Sequence, residues 1–221
     1  MIPLRSSERT YSTPSVTLGI IAVNVVVFLF ELTMPPWTLN RFIIHYGIVP
    51  DHLRASSLIT SMFLHGGWLH ILGNMWFFWI FGKGVEDLLG HARFFFFYFV
   101  CGLAAGLTHV LLNADSPIPT IGASGAIAGV MGAYLIKFPR ARIVTLVPIF
   151  IFLTTIEIPA AFLLLYWFFL QFAGGYMGQI AHNVYGGDST AWFAHVGGFL
   201  AGMGLILVLP TQQRWRRWSD S

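Results

Sequence analysis

The sequence predicts an all-α membrane protein, a bundle of six transmembrane helices with its N- and C-termini in the cytoplasm. Of its 221 residues, 56% are hydrophobic and only 10% are charged, whereas a soluble domain carries roughly 25% charged residues. So few charges cannot cover a surface that faces water on all sides, and the long apolar runs exclude disorder, coiled coil and collagen. A polytopic membrane protein is the class that remains.

Six apolar segments are candidate spans, because a bilayer core of about 30 Å needs around 20 mostly apolar residues in each helix. They are residues 15–32, 68–81, 94–112, 122–138, 160–176 and 190–209. The second is short, and we expect the apolar run 58–64 to extend it. The first follows Arg5 and Arg9 and lacks a small-residue cleavage site, so we expect a retained helix and not a signal peptide.

A further apolar segment, residues 143–156, is interrupted by Pro148. A run of about 10 to 14 apolar residues is more often interfacial or re-entrant than spanning. Six spans leave ten of the 12 Lys and Arg residues on the inner side and only Arg41 and Arg54 outside, as the positive-inside rule requires. The predicted organisation is a cytoplasmic N-terminal segment (1–14), a six-helix core (15–209) and a basic cytoplasmic tail (210–221).

The outer loop, residues 34–57, connects the first two spans. Its moderately apolar composition favours a position on or in the membrane interface, and an ordinary connecting loop is the alternative.

Several classes of ligand are not expected. The single cysteine, Cys101, excludes a disulfide framework and a multi-cysteine metal cluster. No His-Glu-x-x-His motif occurs, so a metal is not expected either. The net charge of +3 is too small and too scattered to indicate nucleic-acid binding.

Polar side chains inside spans are costly, and each is a hypothesis for a functional site. His70 and Asn74 lie four residues apart on one face of the second span, although such a pair more often makes a hydrogen bond between helices. Ser124 lies among small residues, which usually serve close helix contacts. His195 precedes Gly198 and Gly202 in the sixth span, a small-xxx-small face that allows another backbone to approach.

Depth in the membrane brings these residues into one layer. Ser124 and His195 lie close to the outer starts of their spans, so at about 1.5 Å per residue they fall within roughly 5 Å of each other in depth. A neutral histidine can take the proton of a serine hydroxyl, which is otherwise a poor nucleophile. The pattern predicts a Ser–His dyad without a carboxylate. His70, Asn74 and the backbone N–H of Ser124 are candidate oxyanion donors.

At these residues the chain resembles the rhomboid intramembrane serine proteases over nearly its whole length. The matching pieces are residues 65–74 (His-Gly-Gly-Trp-Leu-His-Ile-Leu-Gly-Asn), 82–86 (Gly-Lys-Gly-Val-Glu), 122–125 (Gly-Ala-Ser-Gly) and 194–195 (Ala-His) with Gly198 and Gly202. Each piece is modest alone, and together on separate helices they are highly specific.

The resemblance implies a role for each site residue. Ser124 is the nucleophile and His195 the general base. His70 and Asn74 line the oxyanion hole, helped by the N–H groups of Ser124 and Ala123. Glu86 resembles the family's structural acid near the inner end of the second helix. No cofactor and no metal is implied.

The implied activity is that of a serine endopeptidase acting through an acyl-enzyme. Its substrates would be single-pass membrane proteins, cut near the outer end of their helix after entering between the second and fifth helices. The implied partners are these transmembrane substrates and the lipid bilayer. The absence of a transit peptide and the positive-inside topology predict a bacterial inner (plasma) membrane protein of the minimal six-helix type.

The chain departs from the family at two places. The family often carries Trp-Arg where this chain has Ser56 and Ser57, and an aromatic residue where it has Ala128. Tyr134 or Phe193 is then the expected stacking partner of His195.

Two other functions are alternatives. One is a non-catalytic rhomboid-like protein that binds transmembrane helices, although such relatives usually lack the serine or the histidine. The other is a transporter, which is disfavoured because the inner halves of the fourth and sixth spans are apolar.

Overall fold

Helices make up most of the chain. The computed structural model describes residues 2–149, 152–185 and 191–212. Its α-helices are α1 (Ser15–Glu31), α2 (Pro36–Tyr46), α3 (Ser57–Thr60), α4 (Trp68–Leu89), α5 (His91–Leu112), α6 (Ser124–Lys137), α7 (Ala160–Tyr185) and α8 (Trp192–Val208). Short 3₁₀ turns form at Pro50–His52 and Ser61–Phe63. The basic tail around Arg214, Arg216 and Arg217 lies outside the described residues.

Each of the six predicted spans contains one long helix, namely α1, α4, α5, α6, α7 or α8. The second differs from the expectation at both ends. Residues 58–64 do not extend it but fall in α3 and the following 3₁₀ turn, because Gly66 and Gly67 separate the two segments and glycine favours helix poorly. The helix instead continues beyond residue 81 to Leu89.

The helices differ in whether they are long and apolar enough to cross a membrane. By length and composition, α5 is the one helix in the described part of the chain that is clearly able to cross a bilayer. Three further helices (α1, α6 and α8) and the first part of α7, Ala160–Gly174, are apolar but shorter. The inner end of α4 carries Lys83, Glu86 and Asp87. The six-span bundle and the orientation of its termini therefore stay predictions.

The chain is not all-α, so that part of the predicted fold class was wrong. An antiparallel sheet in the order β1-β2-β3 joins β1 (Ile2–Ser6), β2 (Arg142–Ile149) and β3 (Phe152–Pro159). The hairpin segments are rich in Val, Ile and Thr, which favour strands, and Pro148 is incompatible with a helix interior. In the segment 143–156, expected to be interfacial or re-entrant, the described residues 143–149 and 152–156 thus lie in the paired strands β2 and β3.

The N-terminal segment, which precedes the first predicted span, contacts the core. Besides the pairing of β1 with β2, the indole N–H of Trp76 on α4 donates to the Pro3 carbonyl (2.6 Å). Ser6 shares a hydrogen bond with Tyr134 on α6, and Ser12 donates to the Asp87 carboxylate. Residues 2–12 are therefore part of the fold.

Glu86 caps the first span. Its side chain is fully buried and accepts from the backbone N–H groups of Val16 (2.9 Å) and Thr17 (2.8 Å) and from the Thr17 hydroxyl (2.6 Å). The first N–H groups of a helix have no partner within it, and a carboxylate there also meets the positive end of the helix dipole. The structural acid that the resemblance implied is thus a helix cap joining α4 to α1.

Close contact between α6 and α8 positions the candidate site. A Cβ atom placed on Gly198 or Gly202 would overlap the carbonyl oxygen of Gly125 or Gly129, respectively. The prediction that the Gly198 and Gly202 face admits another backbone is therefore confirmed, and the helix it admits is α6. This contact brings the first turns of the two helices together.

Candidate active site

Ser124 and His195 meet where α6 and α8 begin. Ser124 is the first residue of α6, and His195 lies in the first turn of α8. The His195 Nε2 atom is 2.7 Å from the Ser124 Oγ atom, which is a normal hydrogen-bond distance. The structure thus brings together the two residues that sequence reasoning had placed at the same depth.

Gln171 on α7 contacts the other ring nitrogen. Its Oε1 atom is 2.7 Å from His195 Nδ1, and its side chain is only 9% exposed. An amide oxygen only accepts, so Nδ1 must carry the proton and Nε2 must present its lone pair to Ser124. Sequence analysis missed Gln171. The available signal was an uncharged amide inside the otherwise apolar fifth span.

Trp167, also on α7, is the aromatic residue beside His195. The two ring centroids are 5.9 Å apart with the planes tilted by 41°. Tyr134, one of the expected stacking partners, lies ten residues along α6 from Ser124 and contacts Phe81 and Phe138 instead. That expectation was wrong because about 15 Å of helix rise separates Tyr134 from the site.

The two candidate oxyanion donors converge beside Gly122. A Cβ atom at Gly122 would lie 2.7 Å from His70 Nε2 and 3.6 Å from Asn74 Nδ2, so both nitrogens face the same small space. The neighbouring N–H groups of Ala123 and Ser124 precede or begin α6, where no carbonyl one turn earlier in the helix can accept them. The arrangement offers several N–H donors to an oxygen in that space.

Hydrogen bonds from the segment before α4 hold these donors. Gly66 N–H donates to His70 Nδ1 (3.3 Å), which leaves the His70 proton on Nε2, the atom that faces the space beside Gly122. Asn74 Nδ2 is 2.9 Å from His65 Nε2, and the His65 backbone N–H donates to the Glu31 carboxylate (3.2 Å).

His65 is a second residue that sequence analysis missed as part of the site. It lies before α4, and burial together with the nearby His70 ring lowers the pKa of His65 to about 4. The ring is therefore neutral, so its Nε2 atom can accept a hydrogen bond from the Asn74 amide N–H. The signal for it was its place at the head of the motif 65–74.

One cavity of about 520 Å³, within the range of ligand pockets, is bordered by the site side chains Ser124, His195, His70, Asn74, Gln171 and Trp167. Thr120 adds a further polar group, and the remaining wall is largely apolar, with Leu69, Phe77, Ile118, Ile127 and Met131. A cavity of this composition suits a peptide segment that carries apolar side chains. No group of three metal-ligating side chains is found among the residues the structure describes.

Comparison with protein families matches residues 52–212 to the Rhomboid domain. Similar curated proteins include RHOMBOID-like protein 6, mitochondrial, of Arabidopsis thaliana, which is 31% identical over 74% of this chain and 47% of its own length. Presenilin-associated rhomboid-like protein A, mitochondrial, of Danio rerio is 31% identical over 61% of this chain and 36% of its own. Rhomboid protein 1, mitochondrial, of Saccharomyces cerevisiae is 31% identical over 58% and 38%.

These names contradict the expected bacterial plasma membrane, and that expectation was wrong. The distribution of Lys and Arg indicates which side of a membrane a loop faces, but it does not identify the membrane. The start of this sequence carries no information on targeting either, because the chain spans between about a third and a half of the length of these relatives.

The family match, residues 52–212, includes Ser124, His195 and the glycines that bring α6 and α8 into contact. The chain belongs to the rhomboid family.

Proposed function

We propose that this protein is an intramembrane serine endopeptidase that cleaves transmembrane segments of single-pass membrane proteins near their outer end. The observation that carries the proposal is the hydrogen-bonded series from Ser124 through His195 to Gln171, beside a cavity that His70 and Asn74 also line. Family membership supports it, because rhomboid proteins are generally intramembrane proteases.

The proposed reaction begins with attack of Ser124 Oγ on the scissile carbonyl carbon, while His195 Nε2 takes the hydroxyl proton. The N–H groups of His70 Nε2, Asn74 Nδ2 and the Ser124 backbone stabilise the resulting oxyanion, with Ala123 N–H beside them. The intermediate collapses, the C–N bond breaks, and the amine leaves with the proton from His195. Water, with its proton taken by His195, then hydrolyses the acyl-enzyme.

The proposed substrate must unwind before it is cut, because an intact helix keeps each carbonyl in a hydrogen bond. Glycine, proline or small residues near the scissile bond would favour unwinding. The proposal retains the six spans and the core 15–209 from the sequence, with the site in the outer half and the bilayer and transmembrane substrates as partners. The names of the relatives support a mitochondrial membrane as its location.

The test is cleavage of a single-pass substrate in liposomes by the wild type, Ser124→Ala and His195→Ala. Loss of either group of a dyad typically reduces kcat by about 10⁴-fold or more, so we expect no product above background from either variant. Ser56→Ala and His52→Ala, both at exposed positions outside the candidate site, are matched controls and should cleave like the wild type. Cleavage by Ser124→Ala would refute the mechanism, and a wild type that binds but never cuts would favour the helix-binding alternative.

A further inference from the structure

We propose that helix α7 positions the general base, with Gln171 fixing the tautomer of His195 and Trp167 supporting the face of its ring. This inference rests on the proposed function, since it assigns helpers to the base of that reaction. The Ser–His dyad predicted from the sequence thereby becomes a three-residue series, Ser124–His195–Gln171, in which the third member is a neutral amide.

The first step of the argument is the chemistry at Nδ1. A histidine acts as a base at Nε2 only when the proton resides on Nδ1, and in serine proteases with a triad a carboxylate holds that tautomer. Here the acceptor is the Gln171 amide oxygen at 2.7 Å. An amide is compatible with an apolar surrounding in which a buried carboxylate would carry a large desolvation cost.

The second step concerns the developing charge. When Nε2 takes the serine proton, the ring becomes a cation with two N–H groups. The Gln171 oxygen continues to accept from Nδ1, and the electron-rich indole of Trp167 lies within reach of the ring, at 5.9 Å between centroids. The two helpers therefore favour the state that forms only during reaction.

The third step is geometry along α7. Residues four apart share one helix face, and Trp167 and Gln171 have this spacing. Trp167 is held in turn by Phe199 on α8 (6.1 Å between ring centroids). Position 128, on α6, carries only the methyl group of alanine, so α7 supplies the aromatic contact. One face of α7 thus orients the ring plane of His195 through Trp167 and holds the ring proton on Nδ1 through Gln171.

The kinetic test compares Gln171→Leu, Gln171→Glu and Trp167→Leu with the wild type on a single-pass substrate in liposomes. We expect Gln171→Leu to reduce kcat by about 30-fold, and Trp167→Leu by about tenfold, with KM changed less than threefold. The control Phe169→Leu, exposed on the same helix, should keep the wild-type kcat. A wild-type kcat in Gln171→Leu, or an effect on KM or thermal stability alone, would overturn the inference.

A pH profile separates positioning from general stabilisation of the fold. In Gln171→Glu the carboxylate pairs with the protonated ring, and this attraction offsets its desolvation, so activity should persist while the acidic limb of the kcat/KM profile moves to higher pH. Among the residues that the structure describes, His70 on α4 and His109 on α5 are the titratable groups whose charges act on His195, and both are unchanged in this variant. An unshifted limb would contradict the assignment of Gln171.

A readout without catalysis distinguishes this inference from the proposed function. In protein labelled with ¹⁵N-histidine, the His195 signal, assigned by its loss in His195→Gln, should show the proton on Nδ1 and lose that preference in Gln171→Leu. A wild-type ring protonated on Nε2 would overturn the inference whatever the protease assay gives. An inactive wild type with the proton on Nδ1 would refute the proposed function alone and support the role of Gln171.

Discussion

Gly122 has no side chain, and this determines what its neighbours can do. His70 Nε2 and Asn74 Nδ2 face the space that a Cβ atom at this position would occupy. The backbone φ of +126° is also one that residues with a side chain rarely adopt. In the proposed mechanism the oxygen of the reacting carbonyl enters this space, which requires the space to be empty.

Gly122→Ala should therefore abolish cleavage, with a loss of at least 100-fold in kcat, because the methyl group fills the proposed oxyanion space and strains the backbone. The measurement is single-turnover cleavage together with a thermal melt. Gly19→Ala, where a Cβ meets nothing within 4 Å, is the control and should match the wild type. Retention of more than a tenth of the activity in Gly122→Ala would contradict this view of the hole.

His65 should act through Asn74 and not independently of it. We expect His65→Leu and Asn74→Ala each to reduce kcat by about tenfold, because each removes one side of the same hydrogen bond. The double variant should lose little more than either single variant, since residues that share one hydrogen bond are not additive. Fully multiplicative losses in this double-mutant cycle would show that the two residues act separately.

At the scale of elements, the sequence predicts the long helices well and the sheet badly. Apolar runs bounded by charges and glycines identify helices by a local property. The pairing of Ile2–Ser6 with residues 143–146 is a contact across more than a hundred residues, which no local pattern reveals. The composition of the apolar run 143–156 suits a membrane segment as well as a pair of strands. Its length argues against a membrane span but does not by itself predict a hairpin.

The same distinction explains the site. Four site residues could be identified because a polar side chain inside a predicted span is energetically costly. They are Ser124, His195, His70 and Asn74. Burying Gln171 in a span carries the same energetic cost, but this residue belongs to no motif. Only the packing of α7 beside α8 brings it to His195. Trp167 could not be distinguished by sequence from the many other aromatic residues of the chain.

The contact between α6 and α8 is an element whose disruption should remove the site. Gly202→Leu forces a side chain into the Gly129 backbone, and overpacking of this kind costs about 2 kcal/mol or more. We expect a lower unfolding temperature and loss of cleavage, because the helices separate and the Ser124–His195 hydrogen bond lengthens. Gly204→Ala on the same helix meets nothing within 4 Å and is the control. Normal stability in Gly202→Leu would contradict this account.

At the scale of the whole molecule, the contacts that join the N-terminal segment to the helices lie at the opposite end of the bundle from the candidate active site. The cap by Glu86, the contact of Ser12 with Asp87 and the β1–β2 pairing fix one end. The hydrogen bonds of the candidate active site occupy the other end, about a helix length away. Changes at the two ends should therefore affect different measurements.

Glu86→Ala tests this separation. It leaves two backbone N–H groups of α1 without their acceptor, which should cost about 2 kcal/mol or more of unfolding free energy. Below the melting temperature, kcat/KM per folded molecule should stay within twofold of the wild type. Thermal unfolding in detergent and cleavage at low temperature give the two quantities. A tenfold fall in kcat/KM at full folding would show that the two ends are coupled.

The short length of α6 has a consequence for how a substrate bond is chosen. Its 14 residues rise about 21 Å, roughly 9 Å less than the thickness of the hydrocarbon layer. In the proposed membrane arrangement, with the Lys137 end at one boundary of that layer, Ser124 would lie below the opposite boundary. Under the proposed function, a peptide bond would then be selected by its distance from the lipid headgroups as well as by its side chains. The length of α6 and the thickness of the bilayer together would therefore determine how deep in the membrane a bond must lie to be cut.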